Sequence, residues 1–123
     1  MFKILIAEDD LELRQLFRHV LLKNGYTVKG VSDGQEALDA LEKDYYDLII
    51  SDIMMPNMDG YEATRCIRAC KEKGGDSVKI IAVTSDTHSE DVRRILSSGM
   101  DAHVAKPVDI KALKAAIHTL SAS

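Results

Sequence analysis

The stretch LIISDIMMPNMDGYE, residues 48–62, contains a strand, a turn and the start of a helix in close succession. An aliphatic run leads through Ser51 into Asp52, which is typical of a buried strand that ends in a charged residue. Asp59 and Glu62 have the spacing of a capping box, in which the first residue caps a helix. A carboxylate beside a hydrophobic core costs free energy unless a neighbouring group compensates for it. The rest of the chain must therefore supply partners for Asp52.

Short apolar runs alternate with amphipathic segments along the whole chain. The pattern predicts five strands, at residues 4–7, 27–31, 48–50, 79–84 and 102–105. A helix is predicted after each strand. The third helix is expected to run to about Lys73, and the fourth to turn Val92, Ile95 and Leu96 inward. Near-continuous apolar strands that alternate with helices predict an α/β fold, in which a five-stranded parallel sheet is covered on both faces.

Composition limits the class of protein. The chain has 123 residues, which favours one domain over residues 1–123 without an additional output domain. A formal net charge of −4 does not indicate a nucleic-acid surface. Apolar runs are too short for a membrane span or a signal peptide, so the expected location is the cytoplasm. Cys66 and Cys70 are expected to be buried or half-buried reduced thiols.

Polar residues collect where the predicted strands end. In open α/β sheets the ligand site lies beyond the carboxyl ends of the strands. Four of these ends carry charged or hydroxyl side chains, namely Glu8, Asp9 and Asp10, then Asp52, then Thr84, and finally Lys106. Each group alone is ordinary turn or cap chemistry, but together they indicate a site.

This set of residues suits phosphoryl transfer to a carboxylate. Several carboxylates cannot all stay ionised side by side without a cation, and a hard ion such as Mg²⁺ prefers oxygen ligands. Asp52 can then act as the nucleophile. Lys106 can neutralise one phosphate oxygen, and the Thr84 hydroxyl can donate a hydrogen bond to another.

Four motifs resemble the receiver domains of two-component response regulators: ILIAEDD, DLIISDIMMPNMDG, IIAVTS and AKP, in that order. The resemblance covers nearly the whole chain. It implies the flavodoxin-like strand order 2-1-3-4-5.

The resemblance also implies roles for individual residues. Glu8 and Asp9 correspond to the acidic pair at the metal, with Asp10 as helix cap, and the backbone carbonyl of Met54 corresponds to a further metal ligand. The remaining roles are a phosphoacceptor, a switch hydroxyl, and a phosphate-binding lysine before a cis proline; they correspond to Asp52, Thr84 and Lys106.

Two positions near the site have alternative interpretations. His103 stands where the family often has the Tyr or Phe that is coupled to the threonine as a switch. It either replaces that ring passively or moves inward on phosphorylation and makes the switch sensitive to pH. Asp86 either orients a water molecule that attacks the phosphoryl group or faces solvent.

The implied function is a signalling switch. A histidine kinase or a histidine phosphotransfer protein would donate a phosphoryl group to Asp52 with Mg²⁺ as cofactor, and the surface of the last two helices and the fifth strand would change for partner binding. The chain would be a stand-alone regulator or the receiver of a hybrid kinase, a monomer or a phosphorylation-dependent dimer. It would not be an enzyme beyond catalysing its own phosphorylation and dephosphorylation.

Two other classes fit less well. A Mg²⁺-dependent phosphatase with an aspartyl nucleophile needs a second Asp two residues later, where this chain has Met54. A flavodoxin-like FMN binder needs a phosphate loop after the first strand, where the acids at residues 8–10 would repel a phosphate.

Overall fold

Five parallel strands form a single sheet in the order 2-1-3-4-5, which confirms the predicted fold class. The computed structural model describes residues 2–85 and 89–121. The strands are β1 (Lys3–Ala7), β2 (Thr27–Val31), β3 (Leu48–Asp52), β4 (Lys79–Thr84) and β5 (Ala102–Ala105). The helices are α1 (Leu11–Lys23), α2 (Gly34–Lys43), α3 (Gly60–Ala69), α4 (Ser89–Ser97) and α5 (Ile110–Ser121), with a 3-10 turn at Lys71–Lys73.

The core has two layers, one on each face of the sheet. Alternate side chains of the inner strands point to opposite faces, so that Leu5 and Ile49 pack with α2, α3 and α4, whereas Ile6 and Ile50 pack with α1 and α5. Every residue of β3 is buried. Packing on both faces therefore holds the strand that ends in Asp52 in place.

Helices α1, α2 and α3 each start at an aspartate that caps the helix. The Asp10 carboxylate accepts a hydrogen bond from the backbone N–H of Glu12 at 3.0 Å. The carboxylates of Asp33 and Asp59 each accept a hydrogen bond at 2.8 Å from the backbone N–H of the residue three positions later. These bonds satisfy N–H groups that have no partner inside the helix, and those at Asp10 and Asp59 confirm the predicted caps.

Two details differ from the sequence prediction. Helix α3 ends at Ala69, because the chain turns at Cys70 and the backbone of Gly75 then packs against the end of the helix. A Cβ on Gly75 would lie only 1.8 Å from the Ile67 carbonyl oxygen. Leu96 is 51% exposed, although Ile95 beside it is fully buried. Neighbouring residues on a helix point about 100° apart, and the apolar face of α4 is too narrow to bury both.

Cys66 is a half-buried free thiol, as predicted, whereas the free thiol of Cys70 is exposed, which differs from the prediction. Over the described parts of the chain, no helix is long and apolar enough to cross a membrane.

Candidate phosphoryl-transfer site

The register of the sheet brings the predicted site residues together. Ala7 pairs with Ser51, and Thr84 pairs with Ala105, so the residues that follow these strands meet at one edge. A cleft of about 140 Å³ opens there. Its lining includes Asp52, Met54, Thr84 and Lys106. The structure thus collects groups from β3, β4 and the segment after β5 at the carboxyl edge of the sheet.

Three carboxylates form a cluster beside this cleft. Oxygen atoms of Glu8, Asp9 and Asp52 lie within 4.8 Å of one another. Glu8 and Asp52 are only 1% and 3% exposed, whereas Asp9 is exposed. Asp10 stands apart from the cluster, because its side chain caps α1. The structure therefore groups the two acids that the resemblance implied.

The cluster has the chemistry of a divalent-cation site. Oxygen Oε1 of Glu8 is buried and makes no hydrogen bond within the described structure. A buried oxygen without a hydrogen bond is costly, and because the Lys106 ammonium lies 3.6 Å away, a metal ion in direct contact would satisfy it better. Carboxylate oxygens at this spacing suit a hard ion such as Mg²⁺, so the residues present fit the predicted cofactor.

Lys106 compensates part of this negative charge. Its Nζ atom lies 3.2 Å from Asp52 Oδ1 and 3.6 Å from Glu8 Oε1. Burial alone would lower the pKa of Lys106, but the carboxylates of Asp52, Glu8 and Asp9 raise it above its ordinary value. The Lys106–Pro107 peptide bond is cis, as the resemblance implied.

Glu8 has the most perturbed acidity in the site. Burial raises its pKa from 4.5 to about 8. The backbone N–H of Asp10, which donates to Glu8 Oε2 at 3.2 Å, works against this rise, as does Lys106, while the charge of Asp52 adds to it. Glu8 therefore holds a proton at neutral pH when no metal is bound.

The loop after β3 is held by main-chain and side-chain contacts. The N–H of Gly60 donates to the Ile53 carbonyl at 2.8 Å. Asn57, with a positive φ of 66°, donates from its side chain to Asp33 Oδ2 at 2.8 Å. The first bond joins the two ends of the turn that carries Met54, and the second anchors the middle of the turn to Asp33. The Met54 side chain is 75% exposed at the rim of the cleft.

The two predicted switch residues lie on neighbouring strands. Thr84 is 5% exposed at the end of β4. His103 pairs with Ala82 in the parallel register, and because side chains alternate, it shares a sheet face with Thr84. Its side chain is exposed and is not among the residues that line the cleft. Asp86 lies outside the described residues.

Sequence reasoning missed some residues around the site. Tyr61 of α3, with Asp91 and Arg94 of α4, also lines the cleft. By contrast, Arg14 of α1 follows Asp9 at the interval that the resemblance implies, and its Nη1 donates to the Glu8 carbonyl at 2.7 Å, which supports the acidic segment. The spacing of Asp91 and Arg94 places them on one helical face, but the rotation of α4 against the sheet was needed to show which face meets the cleft.

Comparison with known proteins identifies the class. The response regulator receiver domain family matches residues 4–118, and the chain belongs to this family. This confirms the predicted function class, a receiver domain of two-component signalling, and does not favour the phosphatase alternative.

Individual relatives add detail. The chain is 40% identical to the sensor histidine kinase RcsC of Salmonella typhi over 111 residues, which cover 90% of this chain but only 11% of RcsC. The chain thus spans about a tenth of that relative.

Two solved structures are similar over most of their length. The receiver domain of the sensor histidine kinase PA1611 from Pseudomonas aeruginosa has a TM-score of 0.90 at 34% identity, covers 99% of this chain and 98% of that one, and contains a magnesium ion in its active-site cleft. The receiver domain of Saccharomyces cerevisiae Ssk1, crystallised with the histidine phosphotransfer protein Ypd1, has a TM-score of 0.85 at 29% identity, with 92% and 83% of the chains covered.

Proposed function

We propose that Asp52 accepts a phosphoryl group from a histidine of a kinase or of a phosphotransfer protein. The observation that carries this proposal is the position of the Asp52 carboxylate, which is held by a fully buried strand yet lies beside Glu8, Asp9 and Lys106. The co-crystal of the Ssk1 receiver with a phosphotransfer protein supports the same class of donor here.

Glu8, Asp9 and Asp52, with the backbone carbonyl of Met54, would hold Mg²⁺. The unsatisfied Glu8 oxygen and the magnesium of the PA1611 receiver support this assignment. When bound, the ion would neutralise negative charge on the phosphoryl oxygens and on the carboxylates around them.

The transfer itself requires little of the chain beyond positioning and charge. An oxygen of Asp52 forms a bond to phosphorus while the bond from phosphorus to the donor nitrogen breaks, and the donor imidazole leaves with that electron pair. Lys106, 3.2 Å from Asp52, contacts one phosphoryl oxygen, and the Thr84 hydroxyl donates a hydrogen bond to another. The chain then acts on its own phosphorylation and dephosphorylation.

Phosphorylation would change the surface formed by α4, β5 and α5, and a downstream protein would recognise that change. Thr84 moves toward the phosphoryl group, and His103, on the same face of the next strand, is the candidate to follow it. A downstream protein binds the altered surface. A cytoplasmic location, and a monomer that can dimerise on phosphorylation, belong to the same proposal.

Intact-mass measurement tests the proposal. The protein is incubated with Mg²⁺ and acetyl phosphate, and we expect a single phosphoryl adduct that disappears with EDTA and in Asp52→Asn. Asp39→Asn, which removes an exposed carboxylate from α2, is the matched control and should keep the adduct. An adduct that persists in Asp52→Asn or without Mg²⁺ would contradict the assignment.

A further inference from the structure

Two side chains outside the sequence motifs form part of the cleft wall. The guanidinium carbon of Arg94, on α4, lies 3.9 Å from the centroid of the Tyr61 ring on α3. Both residues line the cleft together with Asp52, Thr84 and Lys106. A cation over an aromatic face is attracted to it, so this contact ties the two helices together beside the site.

The same pair also borders a second cavity. An open groove of about 400 Å³ between α3 and α4 is lined by Tyr61 and Arg94. Its other residues include Glu62 and Arg65, which form an ion pair with each other. Tyr61 and Arg94 thus stand between the cleft that holds Asp52 and a groove that opens to solvent.

We propose that Arg94 is a phosphoryl-sensing residue, whose guanidinium leaves the Tyr61 ring to bind the phosphoryl group on Asp52. This inference rests on the proposed function of Asp52. It assigns to α4 a side chain that responds directly to the phosphoryl group, in addition to Thr84 and Lys106.

The balance of charge in the cleft supports this role. In the unphosphorylated protein, Lys106 lies 3.2 Å from Asp52, and Arg94 is stacked on Tyr61. A phosphoryl group adds negative charge and acceptor oxygens in the same cleft. A guanidinium offers several planar N–H donors and binds phosphoryl oxygens better than it binds a ring.

Arg94 can respond without disturbing the core. Its side chain is exposed, whereas the next residue, Ile95, is fully buried between α4 and the sheet. The guanidinium can therefore move by rotation of its side chain alone. Its departure would remove this contact between Tyr61 and α4, beside both the cleft and the groove.

The test uses beryllofluoride, which mimics a phosphoryl group on a carboxylate in the presence of Mg²⁺. We expect Arg94→Gln to weaken beryllofluoride binding about three- to tenfold, because a charged hydrogen bond at a partly exposed site is lost. Affinity for Mg²⁺ alone should stay the same or rise. Arg93→Gln removes the same charge from an exposed neighbour that does not line the cleft, and it should change beryllofluoride binding less than about twofold.

A substitution of Tyr61 distinguishes a sensing role of Arg94 from a purely structural one. Tyr61→Leu removes the competing ring but keeps the cation, so beryllofluoride should bind equally well or more tightly. The double variant should bind as weakly as Arg94→Gln. If Tyr61→Leu and Arg94→Gln weaken binding to the same extent, the pair only supports the fold beside the site, and the inference is wrong.

A nuclear magnetic resonance signal reports the movement directly. The Nε–Hε resonance of Arg94 should shift on addition of beryllofluoride, because the aromatic ring no longer shields it. If the wild-type protein binds no beryllofluoride with Mg²⁺, the proposed function fails and the inference with it. If the wild type binds it while Arg94→Gln behaves as Arg93→Gln does, only the inference is overturned.

Discussion

Binding of Mg²⁺ to this domain should release a proton, because Glu8 is protonated at neutral pH in the metal-free protein. Burial is the largest cause of its raised pKa of about 8, and the charge of Asp52 adds to it, although Lys106 and the backbone N–H of Asp10 act in the opposite direction. A carboxylate must lose its proton before it can serve as a metal ligand. Metal and proton therefore compete for Glu8.

The size of this effect follows from the pKa of Glu8, which is about 8. Release should amount to about 0.9 proton per Mg²⁺ at pH 7 and about 0.1 at pH 9. Apparent affinity should increase about tenfold from pH 6 to pH 7 and level off above about pH 9. Isothermal titration calorimetry in buffers with different protonation enthalpies measures the proton count directly.

Two variants isolate the titrating group. Glu8→Gln should abolish most of the proton release and flatten the dependence of affinity on pH. Asp9→Asn removes an exposed carboxylate of the same cluster, so it should weaken Mg²⁺ binding but keep the proton count. A wild-type release below about 0.3 proton at pH 7 would show that Glu8 is already ionised in the folded protein, and the reasoning would be refuted.

The same shift predicts how stability changes with pH in EDTA. Between about 4.5 and about 8, folded Glu8 keeps a proton that the unfolded chain has lost, so the free energy of unfolding should fall as the pH rises through this window. The fall from this group alone is at most about 5 kcal/mol. Urea denaturation across the range measures it, and Glu8→Gln should reduce the slope. A slope of the opposite sign in the wild type, absent from Glu8→Gln, would contradict the raised pKa.

Four further substitutions test the fold and the site. Gly60→Ala should lower the free energy of unfolding by about 2 to 3 kcal/mol in urea denaturation, because its Cβ would lie 2.4 Å from the last carbonyl oxygen of β3. Gly25→Ala has open space around its Cβ but a φ of +87°, and it should lower the free energy of unfolding by about 1 kcal/mol. Arg68→Met should cost about 3 kcal/mol, because this guanidinium donates to three backbone carbonyls between 2.6 and 3.0 Å; an unchanged midpoint would refute that role. Lys106→Met should slow phosphorylation by acetyl phosphate about 10- to 100-fold while Mg²⁺ still binds, and an unchanged rate would exclude the lysine from the transfer.

The sheet was predictable because its strands are buried on both faces. A run such as residues 48–52 has few alternatives to a central parallel strand, and the aspartate caps mark where the helices start. The end of α3 was not predictable in the same way. It depends on the close approach of Gly75 to Ile67 and on the Arg68 hydrogen bonds, which join segments distant in sequence.

The residues of the site also differ in how far the sequence predicts them. Residues that directly end or follow strands could be found from the sequence, since parallel strands deliver their carboxyl ends to one edge. Tyr61 and Arg94 could not be found, because their place in the cleft depends on how α3 and α4 rotate against the sheet. The exposure of Leu96 has the same origin. A helix face is set by tertiary packing, whereas a strand end is set by topology.

The contacts of Lys106 explain how a charged residue is stable at the end of a buried strand. In the metal-free protein, its ammonium group lies close to both Asp52 and Glu8, and Glu8 carries a proton at neutral pH, so little uncompensated charge remains beside the core. A divalent cation held by the same carboxylates would replace the lysine as their partner and displace the proton. Lys106 would then be available for a phosphoryl oxygen at the moment Asp52 acquires one. The arrangement that stabilises the resting protein thus also prepares the cleft for the transfer.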